Sequence, residues 1–155
     1  MRIVLSLIAG LLSAPVANAA DVSGDKVLLK AGSWTVRRTP DLMSGKKACT
    51  ALYQDKYLIQ LTETGLFVSQ APNGGLKSYT ISYDDGAAGA EHAATPYERD
   101  IQSAALKGEA LTKALSAKRL RLHITTAGDR IADEDIDLTG IDAAHNAIVR
   151  DKNCQ

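Results

Sequence analysis

The chain has 155 residues, 45% of them hydrophobic, and its 18 basic and 18 acidic residues give a formal net charge of zero. This length suits a single domain with one core. The balanced charge excludes the clustered basic excess that nucleic-acid binding requires, so we expect no nucleic-acid partner. Beyond the first residues, no stretch is long and apolar enough for a transmembrane segment.

The chain begins MRIVLSLIAGLLSAPVANAADVSG, which has the three parts of a secretory leader in order. Arg2 supplies a positive charge, an apolar run follows, and ANA places small residues where signal peptidase cuts. We therefore predict a Sec-type signal peptide over residues 1–20, cleaved near Ala19 or Ala20. Residues 21–155 are then a single exported β-rich domain, in the periplasm or secreted.

The sequence after the leader contains short runs of alternating apolar and polar residues, the pattern of β-strands. In SWTVRRT, Trp34 and Val36 fall on one face, and a lone Trp on such a strand is expected in the core rather than at a recognition surface. SYTISY places Tyr79, Ile81 and Tyr83 on one face, where tyrosine suits half-buried sheets and also binding surfaces. Strands are predicted, in chain order, in KVLLK, SWTVRRT, ACTALYQ, KYLIQLTET, GLFVSQ, SYTISY and IQSAAL.

The stretch DDGAAGAEHAATPYERD is rich in Ala, Gly and charge and has no apolar period. It predicts a loop over residues 84–98 that is exposed and available for binding. The candidate contact residues of this binding loop are Asp84, Asp85, Glu91, His92 and Tyr97.

Two short helices are predicted in the last third of the chain. GEALTKALSAK places Leu111 and Leu115 four residues apart, and GIDAAHNAIVRDKN places Ile141, Ala144 and Ile148 on one face. Both patterns are typical of amphipathic helices that pack one side against a core.

Between these helices, RLRLHIT and ADEDIDLT read as two strands of a hairpin that turns near Gly128. A basic strand could hold phosphates or anionic lipid, and an acidic one could hold a cation, but DEDID lacks the Gly turn of a calcium loop. The favoured interpretation is a solvated face of facing opposite charges, each pair contributing about 0.2–1 kcal/mol. The expected pairs are His123 with Asp133, Arg121 with Asp135, and Arg119 with Asp137.

Two cysteines are present, Cys49 and Cys154. In an exported chain two thiols normally form a disulfide, which here would close a loop of about 105 residues and contribute about 4–5 kcal/mol in the chain-entropy model. The alternative is a reactive or metal-binding thiol. The sequence has no CxxC spacing and no His/Cys cluster near either cysteine, so the disulfide is favoured.

No motif assigns a catalytic residue. The three histidines lack metal-ligand spacing, and neither GxSxG nor a phosphate loop occurs. Asp84, Asp85 and Glu91 could meet other acids in space, which leaves a small carboxylate-based hydrolase open as an alternative. We expect no cofactor, no metal and no catalysis.

The motifs GSWTV, KKACTALY, LKGEALTKALSAKRLRLHIT and DIDLTGIDAAHNAI, in this order after a leader, resemble the invasion-associated locus B family of exported bacterial proteins. The positions that carry the resemblance are Trp34, Cys49, Gly140 and Ala144. The resemblance implies a small β-sandwich-like domain with an envelope function, linked in relatives to host interaction, and no catalytic residues.

The sequence thus predicts a mainly β (α+β) antiparallel sandwich-like domain with two short helices near its end and one disulfide. The expected function is non-catalytic, envelope-associated binding of an envelope or extracellular protein. The alternatives are an inhibitor of an extracellular hydrolase, such as lysozyme or a protease, and a carboxylate-based hydrolase.

Overall fold

The computed structural model describes residues 26–40, 47–151 and 154 of the chain. The predicted signal peptide lies outside the described residues. Within them, ten strands form two antiparallel sheets. Nine of these strands lie where the sequence predicted strands, and the tenth, His92–Ala93, lies within the predicted loop. The mainly β, sandwich-like fold class is confirmed.

The first sheet has six strands, and its order follows the chain except at one edge, where β8 joins β5. Its first five strands therefore lie side by side in chain order. The strands, in sheet order, are β1 (Lys26–Ala31), β2 (Trp34–Pro40), β3 (Lys47–Tyr53), β4 (Lys56–Leu61), β5 (Leu66–Ser69) and β8 (Ser103–Leu106).

The second sheet has four strands in the order β10-β9-β6-β7, so β9 pairs with a strand far from it in sequence. Its strands are β6 (Leu76–Tyr83), β7 (His92–Ala93), β9 (Arg119–Thr126) and β10 (Ile131–Asp137). β7 covers only two residues of the β6 edge, pairing with Ser78 and Tyr79.

Three α-helices accompany the sheets in the described parts of the chain. α2 (Glu109–Ser116) and α3 (Ile141–Arg150) are the two helices that the sequence predicted. α1 (Pro96–Asp100) lies where a loop was predicted. A short 3-10 turn, Ala71–Asn73, links β5 to β6.

The core lies between the two sheets and under α3. Trp34 is fully buried with its ring 5.3 Å from that of Tyr53, which confirms its predicted place in the core. The predicted apolar face of α3, formed by Ile141, Ala144 and Ile148, is buried as well. At about 25 cal/mol per Å² of apolar surface, this burial is the main favourable term in folding.

The charged hairpin has the register that the sequence predicted. His123 lies opposite Asp133, Arg121 opposite Asp135, and Arg119 opposite Asp137. The side chains pair differently. His123 contacts Asp133 at 2.6 Å, whereas Arg119 reaches diagonally to Asp135 at 3.4 Å. The Arg121 side chain points instead toward the end of β6, where the loop of the candidate site begins.

α3 is attached to the first sheet at both of its ends. At its start, Gly140 has a φ of +89°, and a Cβ there would lie 2.4 Å from the Ala31 carbonyl oxygen. Past its end, Cys154 forms a disulfide with Cys49 of β3, across a sequence separation of 105 residues. The predicted disulfide is confirmed, and it fixes the chain beyond α3 to the sheet on which the helix packs.

Among the described residues, no helix has the length and apolar character needed to cross a membrane.

Candidate binding site

The loop between β6 and β7, residues 84–91, is exposed at every position, and both residues of β7 are exposed too. Its first end is held by Asp84, whose φ is +52°. The Asp84 carboxylate accepts hydrogen bonds from the backbone N–H groups of Lys118 at 2.8 Å and Arg119 at 3.0 Å. The guanidinium of Arg121 also donates to the Asp84 backbone oxygen and lies 3.5 Å from Asp85.

The other end of the 84–91 loop is also anchored. The Gly89 N–H donates to the Ile81 backbone oxygen at 2.8 Å, which keeps the loop against the edge of β6. The Ser78 hydroxyl donates to the Glu91 carboxylate at 2.6 Å. The loop therefore presents an exposed surface from a conformation fixed at both ends.

Residues 92–98 are folded, which corrects the prediction that the loop extends to residue 98. His92 and Ala93 form β7, and α1 begins at Pro96. The Thr95 hydroxyl accepts from the Glu98 N–H, and the Glu98 carboxylate accepts from the Thr95 N–H. This is a capping box with Pro in the first helical position.

The Glu98 carboxylate is buried and accepts hydrogen bonds from several groups at once. The Tyr79 hydroxyl donates at 2.7 Å and the Ala105 N–H at 3.1 Å, both to one oxygen. The second oxygen accepts from the Thr95 hydroxyl at 2.8 Å and its N–H at 2.9 Å, and it contacts His92 Nε2 at 3.1 Å. Glu98 thus joins α1 to β6, β7 and β8.

These contacts determine the ionisation of the carboxylate and the phenol. Burial alone would raise the pKa of Glu98, but the hydrogen bonds from Thr95, Tyr79 and Ala105 outweigh it and lower the pKa to about 2. Burial, with the Glu98 charge beside it, raises the pKa of Tyr79 well above its ordinary value. At neutral pH, Glu98 is ionised and Tyr79 is a neutral donor.

A concave surface lies beside this network, between β6, the 84–91 loop, α1 and α2. We call it the cleft. Its larger half has a volume of about 720 Å³ and its smaller half about 350 Å³, and the halves meet at Ile81, His92 and Ala110. The larger half is further lined by Ser82, Tyr83, Ala87, Gly89, Ala90, Glu109 and Lys113, and the smaller half by Tyr79, Thr95, Tyr97, Glu98, Ala105, Leu106 and Lys107.

Tyrosine and lysine side chains border the cleft. The Tyr83 hydroxyl donates to the Ala110 backbone oxygen at 2.8 Å, which fixes α2 against β6. Lys113 pairs with Glu109 at 2.8 Å in the larger half. In the smaller half, the Lys107 ammonium lies 4.3 Å from the ring centroid of Tyr97, a cation–π contact.

The five candidate contact residues do not form one site. His92 and Tyr97 line the cleft. Asp84 and Asp85 border a separate depression, of about 510 Å³, with Lys118 and Arg119. Glu91 is engaged with Ser78. Asp84 and Asp85 thus lie at one depression, and Glu91 lies in different surroundings.

Sequence reasoning missed Glu98 and Lys107 as members of the site. The motif TPYE carries a local signal for Glu98, because Ser/Thr followed three residues later by Glu is the pattern of a capping box. No local pattern marks Lys107, whose place follows from the packing of β8 and α2.

Among the described residues, no group of three or more His, Cys, Asp or Glu side chains could hold a metal ion.

No protein-family model matches the chain, and no curated protein matches it. Among solved structures, the crystal structure of invasion associated protein B from Bartonella henselae is similar. The two chains are 19% identical with a TM-score of 0.49, and the match covers 78% of this chain and 93% of that chain. That protein carries the name of the family that the sequence motifs resemble.

Proposed function

We propose that this protein is an exported, non-catalytic binding protein that captures an envelope or extracellular protein through its 84–91 loop. The observation that carries the proposal is the combination of full exposure with anchoring at both ends. A loop that is already held in one conformation loses little entropy when it binds, and this favours affinity. Because the sequence resembles a family linked to host interaction, the expected partners include proteins on a host cell surface.

The disulfide between Cys49 and Cys154 supports the proposed location. Disulfides persist in oxidising compartments, such as the periplasm and the cell exterior, and are rare in the cytosol. The leader-like sequence of residues 1–20 favours the same compartments.

The ionisation of the cleft carboxyls supports binding over hydrolysis. A general acid in a glycosidase needs a carboxyl with a raised pKa. The pKa of Glu98 is instead about 2, and the hydrogen bond from Lys113 lowers the pKa of Glu109. Both carboxyls are ionised and engaged with donors at neutral pH.

An inhibitor of an extracellular hydrolase is the second candidate. The central part of the loop, GAAGA over residues 86–90, has no large side chain and is exposed at every position, and the Gly89 N–H holds it to β6. Such a segment could enter the active-site groove of a lysozyme or a protease with little change of shape.

Capture experiments test the proposal. Mature protein, residues 21–155, is tagged and crosslinked in intact envelopes and to host-cell surfaces, and captured proteins are compared with a tag-only control. Ala88→Arg should abolish enrichment of the partner, because a long charged side chain blocks the loop surface. Ala127→Arg, in the exposed β9–β10 turn, is the matched control and should capture normally.

Equal capture by the Ala88→Arg and Ala127→Arg variants would contradict a role for the loop. Activity assays of purified lysozyme and of a serine-protease panel, with wild-type protein added, test the second candidate. Inhibition that Ala88→Arg removes would identify an inhibitor, and unchanged hydrolase activity would count against one.

A further inference from the structure

Each half of the cleft has a volume in the range of small-molecule sites. Its halves, of about 720 and 350 Å³, are continuous through Ile81, His92 and Ala110. Sites for small ligands in proteins usually have volumes of about 300–1,000 Å³ and are mostly apolar, with a few polar groups that fix orientation. The cleft therefore has room for a small ligand. Capture of a protein by the loop does not require such a ligand.

Where the halves meet, the apolar side chains of Ile81 and Ala110 lie beside the imidazole of His92. Ile81 and Ala110 are half-buried there, and Leu106 is buried below them. Two polar groups of the residues that line the smaller half, the Tyr79 hydroxyl and the Glu98 carboxylate, bind each other. The apolar side chains where the halves meet thus favour an apolar ligand body over one that needs hydrogen bonds along its length.

The smaller half of the cleft contains a cation, Lys107, as well as the ionised carboxylate of Glu98. Lys113 is neutralised by Glu109 in the larger half. The Glu98 charge is stabilised by the donors around it. Lys107 takes part in none of the ion pairs formed among the residues that the structure describes, and its ammonium lies over the Tyr97 ring.

We propose that the cleft binds a small carboxylate with an apolar body. The body lies across Ile81 and Ala110, and the carboxylate pairs with Lys107 beside Tyr97. This goes beyond partner capture by the 84–91 loop. The loop forms one wall of the larger half through Ala87, Gly89 and Ala90, but the proposed ligand contacts are made by residues outside it, so either proposal can fail without the other.

Sodium octanoate is the probe, titrated at pH 7.5 into ¹⁵N-labelled mature protein with its disulfide intact. We expect saturable shifts of the amide signals of Ile81, His92 and Ala110. Lys107→Gln should weaken binding by about tenfold, the range for loss of one charge-assisted contact. Lys56→Gln, an exposed lysine at the start of β4, is the matched control and should bind as wild type does.

Two further arms separate the parts of the proposal. Octylamine, a cation of the same chain length, should bind more weakly than octanoate. Ala110→Phe, which fills the junction of the two halves, should abolish the shifts while the dispersed spectrum of the folded protein is retained. Unsaturable shifts, shifts confined to other surfaces, or equal octanoate affinity of the Lys107→Gln variant and wild type would overturn the proposal. Lys107 is exposed, so Lys107→Gln should leave the fold intact. Its comparison with wild type therefore tests the proposal even if Ala110→Phe does not fold.

Discussion

The hydroxyl of Tyr79 on β6 donates a 2.7 Å hydrogen bond to Glu98 on α1. The same carboxylate oxygen accepts from the backbone N–H of Ala105 on β8. Since β6 belongs to the second sheet and β8 to the first, one buried carboxylate connects both layers of the sandwich at the side where the cleft opens. The stability of this region should therefore depend on the charge of Glu98.

Glu98→Gln should lower the free energy of unfolding by about 1–3 kcal/mol, because the amide nitrogen of glutamine cannot accept hydrogen bonds from the donors that meet there. Urea denaturation of the mature protein measures the change. Glu63→Gln, at an exposed position, is the control and should alter stability by less than about 0.5 kcal/mol. Similar losses in the two variants would contradict the structural role of Glu98.

The pH dependence of stability follows from the same group. In the folded state the pKa of Glu98 is about 2, below its ordinary value of 4.5. A lowered folded pKa stabilises the folded state fully above the ordinary value, and this contribution is lost as the pH falls from 4.5 toward 2. Melting temperatures between pH 6 and pH 2 should therefore converge for wild type and Glu98→Gln in acid. A constant difference across that range would disprove the linkage.

The cap of α1 depends on the hydroxyl of Thr95. Thr95→Ala removes both the acceptor for the Glu98 N–H and a donor to the Glu98 carboxylate, and should cost about 1–2 kcal/mol. Thr95→Ser keeps the hydroxyl and should retain most of the stability. Hydrogen exchange of the α1 amides provides the local readout, and equal protection in the two variants would argue against the cap.

Loss of the disulfide should destabilise the protein strongly. Cys154→Ser is expected to lower the free energy of unfolding by about 2–5 kcal/mol, since the bond closes a loop spanning 105 residues. The double variant Cys49→Ser/Cys154→Ser serves as the control. Its loss should be close to that of the single variant, because one change already breaks the bond. Additive losses in guanidinium denaturation would indicate separate roles for the two residues.

Gly140 is a position where no other residue fits. Gly140→Ala should cost more than about 2 kcal/mol, because the φ of +89° is strained for alanine and its Cβ would overlap the Ala31 carbonyl. Gly128→Ala is the matched control. A Cβ there meets no atom within 4 Å, and the change should be nearly neutral. Comparable melting temperatures of the two variants would contradict the close approach of α3 to β1.

Local patterns predicted the parts of the fold that local physics determines. The register of the β9–β10 hairpin follows from alternation and a turn near Gly128, and the buried face of α3 follows from its helical period. The Cys49–Cys154 bond follows from composition and compartment, because two thiols leave only one pairing.

Pairings between distant strands could not be predicted in the same way. The contacts of β5 with β8 and of β6 with β9 depend on how the two sheets pack, and no period in the sequence encodes them. The cleft shares this origin, because Tyr79 and Glu98 lie 19 residues apart and meet only in the folded chain. The loop prediction extended too far because composition outweighed the capping signal of Thr95 and Glu98.

The sulfur bridge between Cys49 and Cys154 also determines how the molecule would respond to mechanical force. If the two ends were pulled apart, tension would run along β1 and β2 to Cys49 and then cross directly to Cys154. The covalent path of the force would bypass the chain between the two cysteines, and β3 would be loaded only through its pairing with β2. The β1–β2 hairpin would therefore take up the force before the second sheet and the cleft.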